Sequence, residues 1–136
     1  MAAMLRLYEL GDRASDEAFS LDEGVAHLAM MQRNPALRVY VACDGDAVVG
    51  TYELLIMENM AKRGRRSGVV EDVMVSPEYR GRGVGKAMMQ DAMERCRVAG
   101  CYKLTLSSNQ MREGAHRFYD ALGFRRHGIS FHVDIR

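Results

Sequence analysis

Residues 69–89 read VVEDVMVSPEYRGRGVGKAMM, and the succession of residue types in this stretch sets how the rest of the chain is read. Val69 to Val75 is rich in β-branched side chains, which favour a strand. Ser76-Pro77 ends it, because proline offers no amide to a sheet ladder and pushes the residue before it into an extended form. Arg80 to Gly85 follows as RGRGVG, in which glycines at alternate positions leave backbone N–H groups open to an anion. Val84, Ala87, Met88, Ala92, Cys96 and Ala99 then recur at steps of three and four, which predicts a helix from about Gly83 to Ala99 closed by Gly100. The first amides of that helix lack partners within it, and its dipole puts about half a positive charge at that end. Strand, glycine turn and helix start together predict a phosphate site.

Two familiar phosphate loops do not fit these residues. A Walker loop needs glycine where Arg80 stands and Ser or Thr where Ala87 stands. The dinucleotide fingerprint accepts Gly81 and Gly83 but requires a third glycine where Lys86 lies. A nucleotide-binding module is therefore disfavoured. The pattern Arg/Gln-x-x-Gly-x-Gly/Ala after a proline-ended strand does fit, and here the sequence resembles the GNAT superfamily of acyl-CoA-dependent N-acetyltransferases. A second stretch agrees with it: Ala115 to Phe124 reads A-x-x-F-Y-x-x-x-G-F, which resembles the second half of the GNAT cofactor site.

The resemblance implies a fold and a site. The fold is α/β, a mixed twisted sheet of about six to seven strands flanked by about four helices and splayed where acetyl-CoA, the co-substrate, enters. Arg80, Gly81, Arg82, Gly83, Val84, Gly85 and Lys86 would hold the pyrophosphate. Backbone amides of Val73, Met74 and Val75 would hold pantetheine and polarise the thioester carbonyl. Tyr119 would lie near the CoA sulfur and protonate the departing thiolate. Many relatives carry asparagine three positions before Ala115; here that residue is Arg112, and Asn109 lies three residues earlier, so both are candidate cofactor contacts. The early helices would wall the acceptor site, making Phe19, His27, Met30 and Arg33 candidate contacts, with Arg125 and His127 near its mouth. For Met30 the competing reading is ordinary core packing.

An acceptor amine adds a requirement. An alkylammonium with a pKa of about 10 must lose a proton before it can attack a thioester, and a desolvated carboxylate can take it. Glu71 and Asp72 are neighbours on the predicted strand and so point to opposite faces. One of them can meet the amine, and Glu71 is preferred. The runs VVEDVMV and GCYKLTL look similar to glucosamine-6-phosphate N-acetyltransferases, whereas AHRFYDALGF looks like aminoalkylphosphonate acetylating enzymes. Both classes act on anionic amines. The competing readings are transfer to a protein N-terminus or lysine, and a non-catalytic acyl-CoA sensor.

Length and composition bound the rest. The 136 residues suit a single domain spanning 1–136. A formal net charge of +1 gives no general attraction to nucleic acid or acidic membranes. With no long apolar run and no leader pattern, a cytoplasmic protein is expected. Cys43, Cys96 and Cys101 are odd in number and lack metal spacing, so reduced thiols and no metal are expected. His127 and His132 lack a third ligand. Lys62, Arg63, Arg65 and Arg66 form a basic loop, read as solvated or as facing an anionic acceptor or an acidic surface across a homodimer.

The remaining elements follow from punctuation. Met4 to Leu10 reads as a first strand, Ser15 to Glu17 as the start of a short helix, and a second helix is capped by Asp22 and ended by Asn34-Pro35. Leu37 to Cys43 and Ala47 to Met57 read as a hairpin around Asp44-Gly45-Asp46. Lys103 to Ser107 returns as a strand parallel to Val69 to Val75. The tail reads as a hairpin around His127-Gly128, with Ile129, Phe131, Val133 and Ile135 on one face.

Overall fold

The computed structural model describes residues 1–9, 19–108 and 112–135. In chain order the elements are α1 (Ala2–Glu9), α2 (Leu21–Met31), β1 (Leu37–Asp44), β2 (Ala47–Met57), β3 (Ser67–Val75), α3 (Val84–Val98), β4 (Leu104–Leu106) and α4 (Glu113–Ala121). Among the described residues this is a mixed α/β fold with four α-helices and one open sheet of strand order β1-β2-β3-β4. The chain divides into two compact units, Met1–Thr105 and Leu106–Arg136.

In the first unit β1 and β2 form an antiparallel hairpin, and β3 pairs antiparallel with β2. β4 runs parallel to β3, since the Tyr102 amide donates to the Arg66 carbonyl and the Gly68 amide to the Lys103 carbonyl, each at 2.9 Å. The predicted strand, helix, parallel strand succession is therefore present. α3 packs on β2 and β3 and buries Met88, Met89, Ala92 and Cys96. Ala87, expected in that stripe, is exposed, and Met89 takes its place. A polar clasp ties sheet to helix: the Tyr52 hydroxyl donates to Asp91 Oδ2, and Arg95 donates to the same oxygen at 2.8 Å while lying 3.9 Å over the Tyr40 ring.

Three expectations are corrected. Residues 2–9 are helical, and the predicted first strand does not form there. Met4 and Leu7 are both buried; positions three apart share a helix face but would point to opposite faces of a strand, and Ala, Met, Leu and Arg are strong helix formers. The cap of α2 is Ser20, not Asp22: Ser20 Oγ accepts from the Glu23 amide at 3.3 Å while Glu23 Oε2 accepts from the Ser20 amide at 2.9 Å. That reciprocal box satisfies two amides, which Asp22 inside the first turn cannot do. Leu10 and the expected short helix at Ser15 to Glu17 lie outside the described residues.

The third correction concerns the strand count. Four strands, not six or seven, are present among the described residues. In the second unit α4 is followed by residues 124–135 without a strand, so the tail hairpin is not formed. Ile129, Phe131, Val133 and Ile135 are 82%, 93%, 76% and 91% exposed. Their alternation fixes which side chains would share a face but supplies neither a partner ladder nor a surface to cover it.

Candidate functional site

The glycine turn is built as its residues require. After β3 a short 3-10 turn over Pro77–Tyr79 leads to Gly81 at φ +73° and Gly83 at φ +87°. Gly83 is the N-cap of α3 in the left-handed conformation, with no side-chain cap hydrogen bond. The first helical bond is donated by the Ala87 amide to the Gly83 carbonyl at 3.0 Å, so the amides of Val84, Gly85 and Lys86 precede the helical ladder. A Cβ at Gly81 or Gly83 would meet nothing within 4 Å. The glycines are thus required by backbone conformation and by open approach, not by crowding.

Arg80, Arg82 and Lys86 are exposed around this end. The turn is pinned to the β1–β2 hairpin: the Tyr79 hydroxyl donates to Asp44 Oδ2 at 3.0 Å, and the Arg82 guanidinium lies 4.4 Å over the Tyr79 ring. A cleft of about 340 Å³ opens there, lined by Ala42, Cys43, Tyr79, Arg82, Gly83 and Val84. Glycine conformation, helix dipole and three cations all favour an anion at one place.

The strand before the turn is interrupted. Glu53 faces Glu71 and Thr51 faces Met74 across β2 and β3, so Asp72 and Val73 together oppose the single Tyr52. Asp72 sits at φ +49°. This bulge bends the strand and breaks its alternation between Asp72 and Val73. Both are exposed, and both carboxylates act on Glu53. Val73, the second residue of the bulge, and Met74 and Val75 just beyond it are partly exposed.

Glu53 is the residue that sequence reasoning missed. It is half-buried, and burial, then Asp72, then Glu71 push its carboxyl above the usual range, while Tyr8 and His27 oppose the rise. The Tyr8 hydroxyl from α1 donates to Glu53 Oε1 at 3.5 Å, and burial with Glu53 beside it pushes that phenol up to about 12. His27 from α2 packs against Phe19, ring centroids 5.3 Å apart. Thus the early helices do bring Tyr8 and His27 toward the carboxylates of β2 and β3. Met30 is 52% exposed and Arg33 is exposed. The signal was a glutamate among the large apolar and aromatic side chains that end β2, YELLIM.

In the second unit Tyr119 is half-buried on α4, edge-on to Phe118 at 5.1 Å and to Phe124 at 5.7 Å. Burial raises its pKa and Arg112, the N-cap residue of α4, opposes that rise. Arg125 and His127 are exposed. Asn109 lies outside the described residues. In the basic loop Arg66 pairs with Glu58 and Arg65 lies 5.7 Å from the Tyr102 ring centroid. Among the described residues no group of three or more His, Cys, Asp or Glu side chains could hold a metal, and no helix is long and apolar enough to cross a membrane.

Residues 3–124 match the acetyltransferase (GNAT) family. The chain is 38% identical over 113 residues to a glucosamine 6-phosphate N-acetyltransferase of Trypanosoma brucei brucei, covering 82% of this chain and 75% of that protein. A solved structure of a putative acetyltransferase from Agrobacterium tumefaciens superposes with a TM-score of 0.92 at 30% identity, covering 98% of this chain and 92% of that one. A Trypanosoma brucei acetyltransferase structure superposes with a TM-score of 0.84 at 34% identity, over 98% and 92% of the two chains. With a family match over residues 3–124 and a relative 38% identical over most of both chains, this chain belongs to the acetyltransferase (GNAT) family and is an acyltransferase enzyme.

Proposed function

We propose that residues 1–136 form a single N-acetyltransferase domain that moves an acetyl group from acetyl-CoA to the primary amine of a small anionic molecule, a phosphorylated or phosphonated amine. The observation that carries this reading is the uncapped α3 terminus with Gly81 and Gly83 at positive φ, directly after a bulged strand. The pyrophosphate is held by Arg80 to Lys86 and the pantetheine by backbone of Val73 to Val75. The amine nitrogen adds to the thioester carbonyl, the C–S bond breaks, and Tyr119 protonates the thiolate. Glu71 and Asp72 attract the ammonium. Glu71 takes its proton, and Glu53, opposite Glu71 in register, receives it in turn because a carboxyl of raised pKa is the better acceptor near neutrality. The anionic acceptor class is supported by the likeness to glucosamine 6-phosphate N-acetyltransferases and by the exposed Arg125 and His127. A thiol-release screen over amino sugar phosphates, aminophosphonates, polyamines and peptides tests it: turnover confined to the first two classes is expected, and turnover with peptides alone overturns it.

Glu53 makes the chemistry pH-dependent. Its folded pKa lies above the ordinary carboxylate value, so the folded chain loses stability as pH rises through that pKa, and below the ordinary value nothing is lost. Glu53→Gln should therefore raise the unfolding free energy at pH 8, by on the order of 0.5 kcal/mol because the group is only half-buried, and leave it unchanged at pH 4. The same variant should shift the acidic limb of the kcat/KM profile to lower pH. An unshifted limb removes Glu53 from the proton path.

A cytoplasmic homodimer completes the proposal. Ile129, Phe131, Val133 and Ile135 are exposed apolar side chains that a second copy would cover. Light scattering that returns a monomer mass at micromolar concentration contradicts this part alone.

A further inference from the structure

α3 ends in a Schellman motif. The Cys101 amide donates to the Cys96 carbonyl at 2.9 Å and the Gly100 amide to the Arg97 carbonyl at 3.1 Å, with Gly100 at φ +77°. In this motif the second residue past the cap lies against the third residue before it. α4 ends the same way: Phe124 donates to the Tyr119 carbonyl and Gly123 to the Asp120 carbonyl, each at 3.1 Å, and the Tyr119 and Phe124 rings are in contact. In α3 the two equivalent positions are both cysteines, and both are free thiols.

Their surroundings differ in a useful way. Cys96 is 4% exposed, and a Cβ on Gly68 would lie 2.4 Å from its Sγ, so the sulfur occupies the space left by a missing side chain in β3. Cys101 is partly exposed. Burial, then Cys101 itself, pushes the Cys96 thiol up to about 12. Arg65 and Lys103 lie 5.7 and 5.4 Å from the centroid of the ring of Tyr102, the residue after Cys101, and cations in this segment of chain favour an anionic thiol reagent.

We propose that Cys96 and Cys101 are a reversible dithiol–disulfide pair, oxidised by small anionic disulfides of the glutathione class through the partly exposed Cys101. The Cys101 thiolate attacks one sulfur of the small disulfide, its S–S bond breaks, and the released thiolate takes up the proton that Cys101 lost. Capping Cys101 removes its own contribution to raising Cys96 and leaves burial alone. Cys96 then loses its proton and attacks Cys101 Sγ, and the second small thiol departs with that proton. Two protein thiols have lost two electrons, and one small disulfide has become two thiols. The crosslink closes a loop whose ends the motif already joins by the hydrogen bond from the Cys101 amide to the Cys96 carbonyl.

Incubating the folded chain with oxidised glutathione and mapping tryptic peptides tests this. The expected product lacks two hydrogens, joins the peptide 96–97 to the peptide 98–103, and unfolds on the order of 5 °C higher until dithiothreitol reverses it. Cys101→Ser should abolish the link and leave Cys96 unmodified, whereas Cys43→Ser should leave the link intact. A glutathione adduct that persists on Cys101 beside a free Cys96, or a crosslink that uses Cys43, overturns the proposal.

Discussion

Gly83→Val should weaken acetyl-CoA binding by about 100-fold or more while the chain still folds. Gly83 sits at φ +87° with ψ 4°, where a β-branched residue costs about 1–2 kcal/mol of backbone strain. No atom lies within 4 Å of the added Cβ, so crowding within the fold contributes nothing further. The larger loss is at the ligand. A branched side chain would stand between the anion and the amides of Val84 to Lys86, and each charge-assisted hydrogen bond lost costs about 1.5–3 kcal/mol. Calorimetric titration reads the outcome. Unchanged affinity with an intact fold would remove the glycine turn from cofactor binding.

The second large effect is expected at Tyr119. Phenylalanine there keeps the edge contacts to Phe118 and Phe124 at 5.1 and 5.7 Å and deletes only the hydroxyl. If that hydroxyl protonates the leaving thiolate, kcat should fall by about 10²-fold with little change in KM for acetyl-CoA. Burial raises the phenol pKa, so the acid form persists through neutral pH and the defect should be constant there. The defect should shrink with an acetyl thioester whose thiol is more acidic, since that thiolate leaves without help. A defect of the same size for both donors would assign Tyr119 to packing.

The glycine turn was legible in the sequence because each of its devices is local. Pro77 stops a strand, glycines permit positive φ, and the apolar steps of α3 fix its buried face. β2 was legible over its full length for the same reason, with a short turn on one side and a mostly apolar run. What stayed hidden depends on partners far along the chain. Residues 4–10 suit either period when read alone, and only the joint burial of Met4 and Leu7 selects the helix. The bulge at Asp72 is set by pairing with β2, and aspartate tolerates its backbone conformation without advertising it. Glu53 gains its importance from Glu71 and Asp72 across the strands and Tyr8 on α1, none of which its own neighbours in sequence reveal. The tail carries a clear alternation, yet alternation describes a face and not what covers it.

The central claim is that bare amides at the start of α3 hold the diphosphate of the co-substrate, so that the thioester runs along β3 beyond its bulge. A crystal structure of the complex with coenzyme A tests it most directly. The account predicts diphosphate oxygens within hydrogen-bond reach of the Val84, Gly85 and Lys86 amides, with pantetheine along Val73 to Val75. Diphosphate bound elsewhere on the chain, with those amides facing only solvent, would contradict it.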